Sequence, residues 1–376
     1  MIPLNRNLLK LKRSGIRAYS ALAAETPGCI SLTLGEPEFD TPAPITAAGK
    51  VALDGGKTHY APNAGLMDLR RAIAKAESRE PEEILVTIGA SGALFTALLG
   101  ILNPGDQVIV PMPAFPLYET IITMAGAEVV PLETWKDGFQ IRPERLNALV
   151  NGHTKAILLN SPNNPTGVVY DRASMAAVKN AILGRPIFLL CDQVYQGLGP
   201  ADLPRLTEDA DLRGQLLLCQ SFSKPYAMTG WRAGYLVGPA ELIGELTLLN
   251  AAQVASVPTF VQEACITALH TDYAPMAETY ARRREYVFER LAAMGLPCPK
   301  PEGAFYAFPD ISAFGLDDDT FCRRMIREAG VAAVPGSCFG LPGYLRLSCC
   351  WFPGGPDRGI KSYGAVREKP VKVREN

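Results

Sequence analysis

The sequence predicts an α/β protein: a large domain on a mostly parallel sheet with helices on both faces, and a smaller α+β domain. Three observations carry this. Short apolar runs alternate with helical patterns from residue 84 to residue 294, the spacing of a doubly wound sheet. Beyond that point the pattern changes to short strands around one helix. The chain has 376 residues, 48% of them hydrophobic and 20% charged, which is length for about two domains and enough apolar content for a large core.

Taken in order, the first 24 residues carry Arg6, Lys10, Lys12, Arg13 and Arg17 and no acid, a pattern read as a surface helix in preference to a transit peptide. Residues 84–105 hold no charge and approach membrane-span length, yet four glycines and Pro104 interrupt them. They divide into a strand at 84–88, a Gly89-Ala90-Ser91-Gly92 turn and an apolar helix at 93–102 buried against a sheet. No membrane is implied. Further strands are expected at 107–110, 128–131, 155–160, 187–191, 215–219 and 234–237, because each is a short apolar run closed by turn residues. Helices are expected at 117–125, 171–183, 241–252, 259–270 and 274–294. The smaller domain should contain strands at 304–308, 331–334 and 344–348 and a helix at 319–329. The division this suggests is a large domain over 46–280 and a small one from 1–45 with 281–376.

Charge and cysteine content exclude several classes. The balance of 37 Lys+Arg against 38 Asp+Glu leaves a net charge of -1, without the basic footprint of a nucleic-acid binder. Nine cysteines without a Cys-x-x-Cys pair, and three histidines, offer no zinc framework and no metal site. The odd cysteine count and the lack of an apolar signal core point to a reducing compartment, hence a cytoplasmic protein.

In an open parallel sheet, ligands gather beyond the carboxyl ends of the strands. The residues there are Gly89 to Gly92, Phe115, Asn163-Asn164-Pro165-Thr166-Gly167, Asp192-Gln193-Val194-Tyr195 and Ser221-Phe222-Ser223-Lys224. Each alone has a plain explanation: Asp192 as a helix cap, Asn164 in a turn, Phe115 in a core, Lys224 in a surface loop. Together they differ. A lysine at the end of a buried strand is costly unless used. Serines at 221 and 223 and the guanidinium of Arg232 beside it are groups that hold a phosphate. A lysine that forms an imine next to a phosphate site is the equipment of pyridoxal-phosphate chemistry.

The stretch from Ser221 through Lys224 to Met228-Thr229-Gly230-Trp231-Arg232-Ala233-Gly234 resembles the lysine motif of the class I/II aminotransferases, which are fold type I pyridoxal-phosphate enzymes. The resemblance runs from about Ser14 to Ser348. Gly35-Glu36-Pro37-Glu38-Phe39-Asp40, Tyr60-Ala61-Pro62-Asn63-Ala64-Gly65, Asn163 to Gly167, Gly303-Ala304-Phe305-Tyr306 and Tyr344-Leu345-Arg346-Leu347-Ser348 fall in the family's order.

The resemblance implies an aminotransferase that passes an amino group from an L-amino acid to a 2-oxo acid, with pyridoxal 5'-phosphate as cofactor. Lys224 would hold the cofactor as an imine and shuttle the substrate proton. Asp192 would pair with the ring nitrogen, Tyr195 and Asn164 with the ring oxygen, and Phe115 would stack on the ring. Ala90, Ser91, Ser221 and Arg232 would hold the phosphate, with Tyr60 reaching it from a neighbouring subunit of a homodimer with shared sites. Arg346 and the backbone of Gly35 would bind the substrate carboxylate, and Asn164 would also border the substrate. Ile16 would line the side-chain pocket, with Arg17 near any second carboxylate. Ser91 stands where some aspartate-specific relatives place a lysine, which disfavours a strict aspartate enzyme. Ser14-Gly15-Ile16-Arg17 with Thr58-His59-Tyr60-Ala61-Pro62-Asn63-Ala64-Gly65 is most similar to bacterial aromatic and acyl-diaminopimelate aminotransferases, so the resemblance implies an aromatic or apolar donor. Gln193 departs from the glutamate common at that position.

Carbon-sulfur β-elimination on the same fold is the alternative, since its lysine, aspartate and arginine would look the same. A cofactor-sensing transcription regulator is disfavoured because only 34 residues precede Gly35. At the far end, Pro353, Gly354, Gly355 and Pro356 should stop a helix from starting, and six Lys/Arg against three acids leave residues 353–376 at +3. This tail is expected to be irregular, Trp351 and Phe352 poorly buried, and the small domain weaker for lacking a closing helix.

Overall fold

The structure is a computed structural model that describes residues 2–12, 14–203 and 205–350. The expectations for Trp351, Phe352 and the tail lie outside the described residues. In chain order the elements are α1 (Gly15–Glu25), β1 (Ile30–Ser31), α2 (Ala43–Asp54), α3 (Met67–Glu77), β2 (Ile84–Thr87), α4 (Gly89–Ile101), β3 (Gln107–Met112) and α5 (Leu117–Met124). There follow β4 (Glu128–Glu133), α6 (Pro143–Leu149), β5 (Thr154–Asn160), α7 (Arg172–Ile182), β6 (Phe188–Asp192), β7 (Leu216–Ser221) and β8 (Gly234–Val237). Then come α8 (Ala240–Val254), α9 (Thr259–Ala268), α10 (Ala274–Ala293), β9 (Tyr306–Ala307), α11 (Asp318–Arg324), β10 (Val331–Ala332), β11 (Val334–Pro335) and β12 (Leu345–Ser348).

Seven strands form one sheet in the order β2-β8-β7-β6-β5-β3-β4, parallel except for β8, which runs antiparallel to both neighbours. Strands β7 and β8 are buried along their whole length, and β5 and β6 at all but one residue each, so they read as largely apolar runs. Alternate residues still face opposite ways. Ile157, Leu189 and Leu218 join the core under α2, α3, α7 and α9, whereas Leu158, Leu190 and Leu217 join the core under α4, α5 and α8. A separate core packs α1, α10 and α11 against a three-stranded antiparallel sheet, β11-β12-β9, and a two-stranded parallel sheet, β1-β10. Among the described residues no helix is long and apolar enough to cross a membrane.

Several expectations need correction. Gly89 to Gly92 are the first turn of α4 and not a turn before it. Two glycines argue against helix, but this segment packs on β7 and β8 and tertiary contact overrides propensity. The helix expected at 319–329 is α11 followed by a π-helical turn at Met325–Ala329. The strand expected at 331–334 divides at Ala333 into β10 and β11, which pair in different sheets. Helices α2, α3 and α6 were not anticipated.

Candidate active site

The carboxyl ends of β5, β6 and β7 lie side by side, since Asn160 pairs with Asp192 and Asp192 with Cys219 in register. Asn160 binds this edge together. Its Nδ2 donates to the Asp192 carbonyl at 2.9 Å, and its Oδ1 accepts from the Asn164 amide at 2.8 Å, which fixes the loop carrying Asn164. Gly234 stands opposite both Thr87 and Ser221. A Cβ there would lie 2.6 Å from the Gln220 carbonyl oxygen and 2.8 Å from the Ala90 nitrogen. Only glycine lets the first turn of α4 approach the sheet so closely. That helix has no side-chain cap, so its leading N–H groups are open to an anion. Beside them Ser221 Oγ donates to Ser223 Oγ at 2.9 Å, and Arg232 places its guanidinium over Gly89, where a Cβ would meet Nη2 at 2.8 Å. Arg232 itself has φ +55° and Ala227 φ +50°, left-handed backbone that costs a non-glycine residue about 1 kcal/mol and clusters at functional sites.

Lys224 follows β7 and points back across the cavity. Its Nζ donates to the Gly35 carbonyl at 2.6 Å, and burial lowers its pKa to about 8. Asp192, 4% exposed, is pushed by burial to about 6. Three features restrain that rise: the Tyr118 hydroxyl donating to Oδ2 at 2.7 Å, the Val194 N–H donating to Oδ1 at 3.3 Å, and the charge of Lys224. Asp192 caps no helix: the short helix that follows starts at Gln196 with Tyr195 before it, and the Val194 N–H bond is a local turn. Tyr195 is buried with its hydroxyl 2.9 Å from that of Tyr306.

Arg346 lies on β12, the middle strand of its sheet, and is 2% exposed, not an edge-strand arginine. Its Nη1 donates to Asn164 Oδ1 at 3.0 Å and its Nη2 to the Thr33 carbonyl at 2.5 Å. The buried Nε has no partner among the described residues. The guanidinium is sandwiched by the rings of Tyr306 and Phe339, 4.6 and 4.9 Å from their centroids. It therefore retains donors for a planar anion.

One cavity of about 250 Å³ is lined by Ile16, Gly35, Ala90, Ser91, Phe115, Asn164, Asp192, Tyr195, Ser221, Lys224, Arg232 and Arg346. The expected site residues meet there except Arg17, which lines an adjoining cavity, and Tyr60, which is 90% exposed and lines no part of it. Tyr118, Tyr306 and Asn160 also line the cavity, and sequence reasoning assigned them no role. Tyr118 stands one helical turn beyond Phe115, a spacing that says nothing about a carboxylate 74 residues away.

A profile of the family described as aminotransferase class I and II matches residues 27–354. The chain belongs to the class I and II aminotransferases. It is 37% identical over 357 residues to a probable N-acetyl-LL-diaminopimelate aminotransferase of Bacillus subtilis, covering 92% of this chain and 91% of that protein. It is equally 37% identical to an aspartate/prephenate aminotransferase of Thermus thermophilus, over 92% of this chain and 90% of that one. The structure of Thermus thermophilus aspartate aminotransferase with maleate superposes with a TM-score of 0.92 at 35% identity, covering 97% of this chain and all of that one. The fold is therefore that of the fold type I enzymes, and the protein is a pyridoxal-phosphate-dependent aminotransferase acting on amino acids and 2-oxo acids. The relatives do not favour carbon-sulfur elimination. The donor set fits the cofactor: an amine bonded to a carbonyl in place of a carboxylate, a buried carboxyl across the cavity, and hydroxyls with a guanidinium at an open helix end.

Proposed function

We propose that this aminotransferase takes aromatic or apolar L-amino acids as donors and a dicarboxylic 2-oxo acid as acceptor. The observation that carries this is the wall of the cavity: Ile16, Leu94, Phe115 and Leu117 face the polar set, and Ser91 supplies no charge to a short acidic side chain. An adjoining cavity of about 580 Å³ shares Ile16, Ser91, Phe115, Leu117 and Tyr118 with the first, and Arg17 lines it. A remote carboxylate of the acceptor ends near Arg17.

When bound, pyridoxal phosphate supplies an aldehyde that captures the amino group and a ring that accepts the electrons released when Cα loses its proton. Arg232, Ser221 and the amides of Ala90 and Ser91 hold its phosphate. Phe115 would cover one ring face. Asp192 would keep the ring nitrogen protonated, while Tyr195 and Asn164 would hydrogen-bond the ring oxygen. Lys224 would be the covalent anchor, and its amine Nζ would be the group that takes the Cα proton and returns it. Burial already lowers the pKa of that amine to about 8 in the cofactor-free chain, towards the neutral form that can take a proton. Arg346 and the Gly35 backbone fix the α-carboxylate, and with it the direction of the Cα–H bond.

The same reading assigns residues 46–280 to a cofactor-holding domain and 1–45 with 281–376 to a smaller domain that brings Ile16 and Arg346. It takes the protein for a cytoplasmic enzyme of amino-acid biosynthesis working as a homodimer. The dimer is supported by Tyr60 at 90% exposure, by exposed Val51, Leu53 and Leu248, and by an open cleft of about 780 Å³ beside Arg232 and Thr229. The deciding experiment is a panel of amino acids with 2-oxoglutarate. Phenylalanine and leucine should exceed aspartate in kcat/KM, and aspartate ahead by a hundredfold would refute the donor assignment.

A further inference from the structure

The buried hydroxyl of Tyr306 belongs to no role assigned so far, yet it sits where the two halves of the site meet. Tyr306 is on β9, in register with Ser348 of β12, two residues from Arg346. Its ring lies under the Arg346 guanidinium at 4.6 Å, and its hydroxyl is 2.9 Å from that of Tyr195. The loop at Gly35, whose carbonyl receives Lys224, is shaped around this hydroxyl: a Cβ on Gly35 would fall 2.1 Å from it. Both phenols are fully enclosed, and burial holds Tyr195 well above the usual phenol range and Tyr306 at about 12, so both are neutral at working pH.

A phenol has one proton to give and lone pairs to receive another. When the Tyr195 proton is directed to Tyr306, Tyr195 has nothing left to donate into the cavity. When Tyr306 donates to Tyr195, the Tyr195 proton is free, and accepting a bond makes that phenol a better donor. Tyr195 is the hydroxyl assigned above to the cofactor's ring oxygen. We infer that Tyr306 is a positioning residue that donates its proton to Tyr195 and so commits the Tyr195 hydroxyl to donate to the ring oxygen of the bound cofactor. The inference rests on the reading of Tyr195 given above.

The charged and titratable groups facing the pair are Arg346 from β12, Asp192 from β6, Tyr118 from α5, and Cys349 and Cys350 just past β12, with Lys224 at Gly35. None of them other than Tyr195 accepts the Tyr306 proton among the described hydrogen bonds. A donor to the ring oxygen favours that oxygen as an anion. It therefore lowers the pH at which the proton shared between the ring oxygen and the Lys224 nitrogen is lost.

The test is a spectral pH titration of the loaded enzyme, read as the midpoint at which its visible band is lost. Tyr306→Phe should raise the midpoint by about half a unit to one unit, the effect of one neutral hydrogen bond. Tyr195→Phe should raise it further, and Tyr306→Phe added to Tyr195→Phe should change nothing, since the relay is already cut. A merely structural role for Tyr306 would not give that non-additivity. The inference is overturned if Tyr306→Phe leaves the midpoint in place, or if its shift is the same with and without the Tyr195 hydroxyl. Presence of the band tests the cofactor assignment, and only its midpoint tests Tyr306, so the two can fail separately.

Discussion

At the scale of residues, the site concentrates groups whose burial is unfavourable until they are used. The folded pKa of Lys224 is depressed from 10.5 to about 8, so the stability this group contributes is complete above pH 10.5 and lost as pH falls through 8. Asp192 is the reverse case. Its folded pKa is raised from 3.8 to about 6, so its contribution is complete below pH 3.8 and lost as pH rises through 6. At pH 7 the chain without cofactor bears both penalties. Lys224→Met, which keeps the volume and drops the charge, should raise the melting temperature of the cofactor-free protein at pH 7, and that gain should shrink between pH 8 and 10.5. The same variant should lose transamination. Tyr118 acts on the other member of the pair. Its hydroxyl is a charge-assisted donor to Asp192, in the class of bonds that contribute about 1.5–3 kcal/mol. Tyr118→Phe should weaken cofactor retention by about tenfold or more. Removing a donor from a carboxylate raises its pKa, so the acid limb of the kcat/KM profile should move to higher pH.

At the scale of elements, one glycine joins strand and helix. Gly234 on β8 admits the first turn of α4, and with it the open amides at Ala90 and Ser91. Gly234→Ala would force a methyl against the backbone of Gly89, 2.7 Å away, and of Gln220. It should cost about 1–3 kcal/mol of stability by overpacking and weaken phosphate and pyridoxal phosphate binding together, with unloaded pyridoxal less affected. Equilibrium unfolding with and without cofactor separates the two losses.

This junction also shows what could be read in the chain beforehand. The strands were legible because a doubly covered sheet demands unbroken apolar runs, and β8 lies where its pattern placed it. The residues after those strands were legible for the same reason, since the rule that ligands collect there is topological. Helix α4 began earlier than its glycines suggested, because its stability comes from packing on β7 and β8. Helix α2 begins with Ala43-Pro44, and a proline reads as a breaker unless the first turn is already known. Helix α3 buries Leu69, Ile73, Ala74 and Glu77 on one face, a helical spacing that the sequence does carry. The roles of Tyr118 and Tyr306 were invisible because their partners are 74 and 111 residues distant.

At the scale of the whole molecule, the informative residue is the one that lies apart from the site. Tyr60 is a large aromatic at 90% exposure, outside the cavity that gathers the residues expected to hold the cofactor. The open cleft beside Arg232 and Thr229 leaves the phosphate end of that cavity accessible from outside. In the proposed twofold dimer each chain would present the same surface to the other, so a Tyr60 that completes one site would be given reciprocally. A monomer, or a dimer with self-contained sites, could not reproduce the consequence. Lys224→Ala would remove the amine from its own site and leave Tyr60 intact for the partner subunit. Tyr60→Ala would keep its own Lys224 and withhold the aromatic from the partner subunit. Each variant alone should be impaired in both sites, severely for Lys224→Ala and in cofactor affinity for Tyr60→Ala. When equal amounts are mixed and allowed to exchange subunits, half the dimers become mixed, and each mixed dimer contains one site with both residues intact. About one site in four should then regain the cofactor affinity and kcat/KM of the unaltered enzyme. Recovery should require subunit exchange, appearing after co-refolding and not on brief mixing. Activity that stays at the mean of the two variants after full exchange would show that Tyr60 serves its own chain or none.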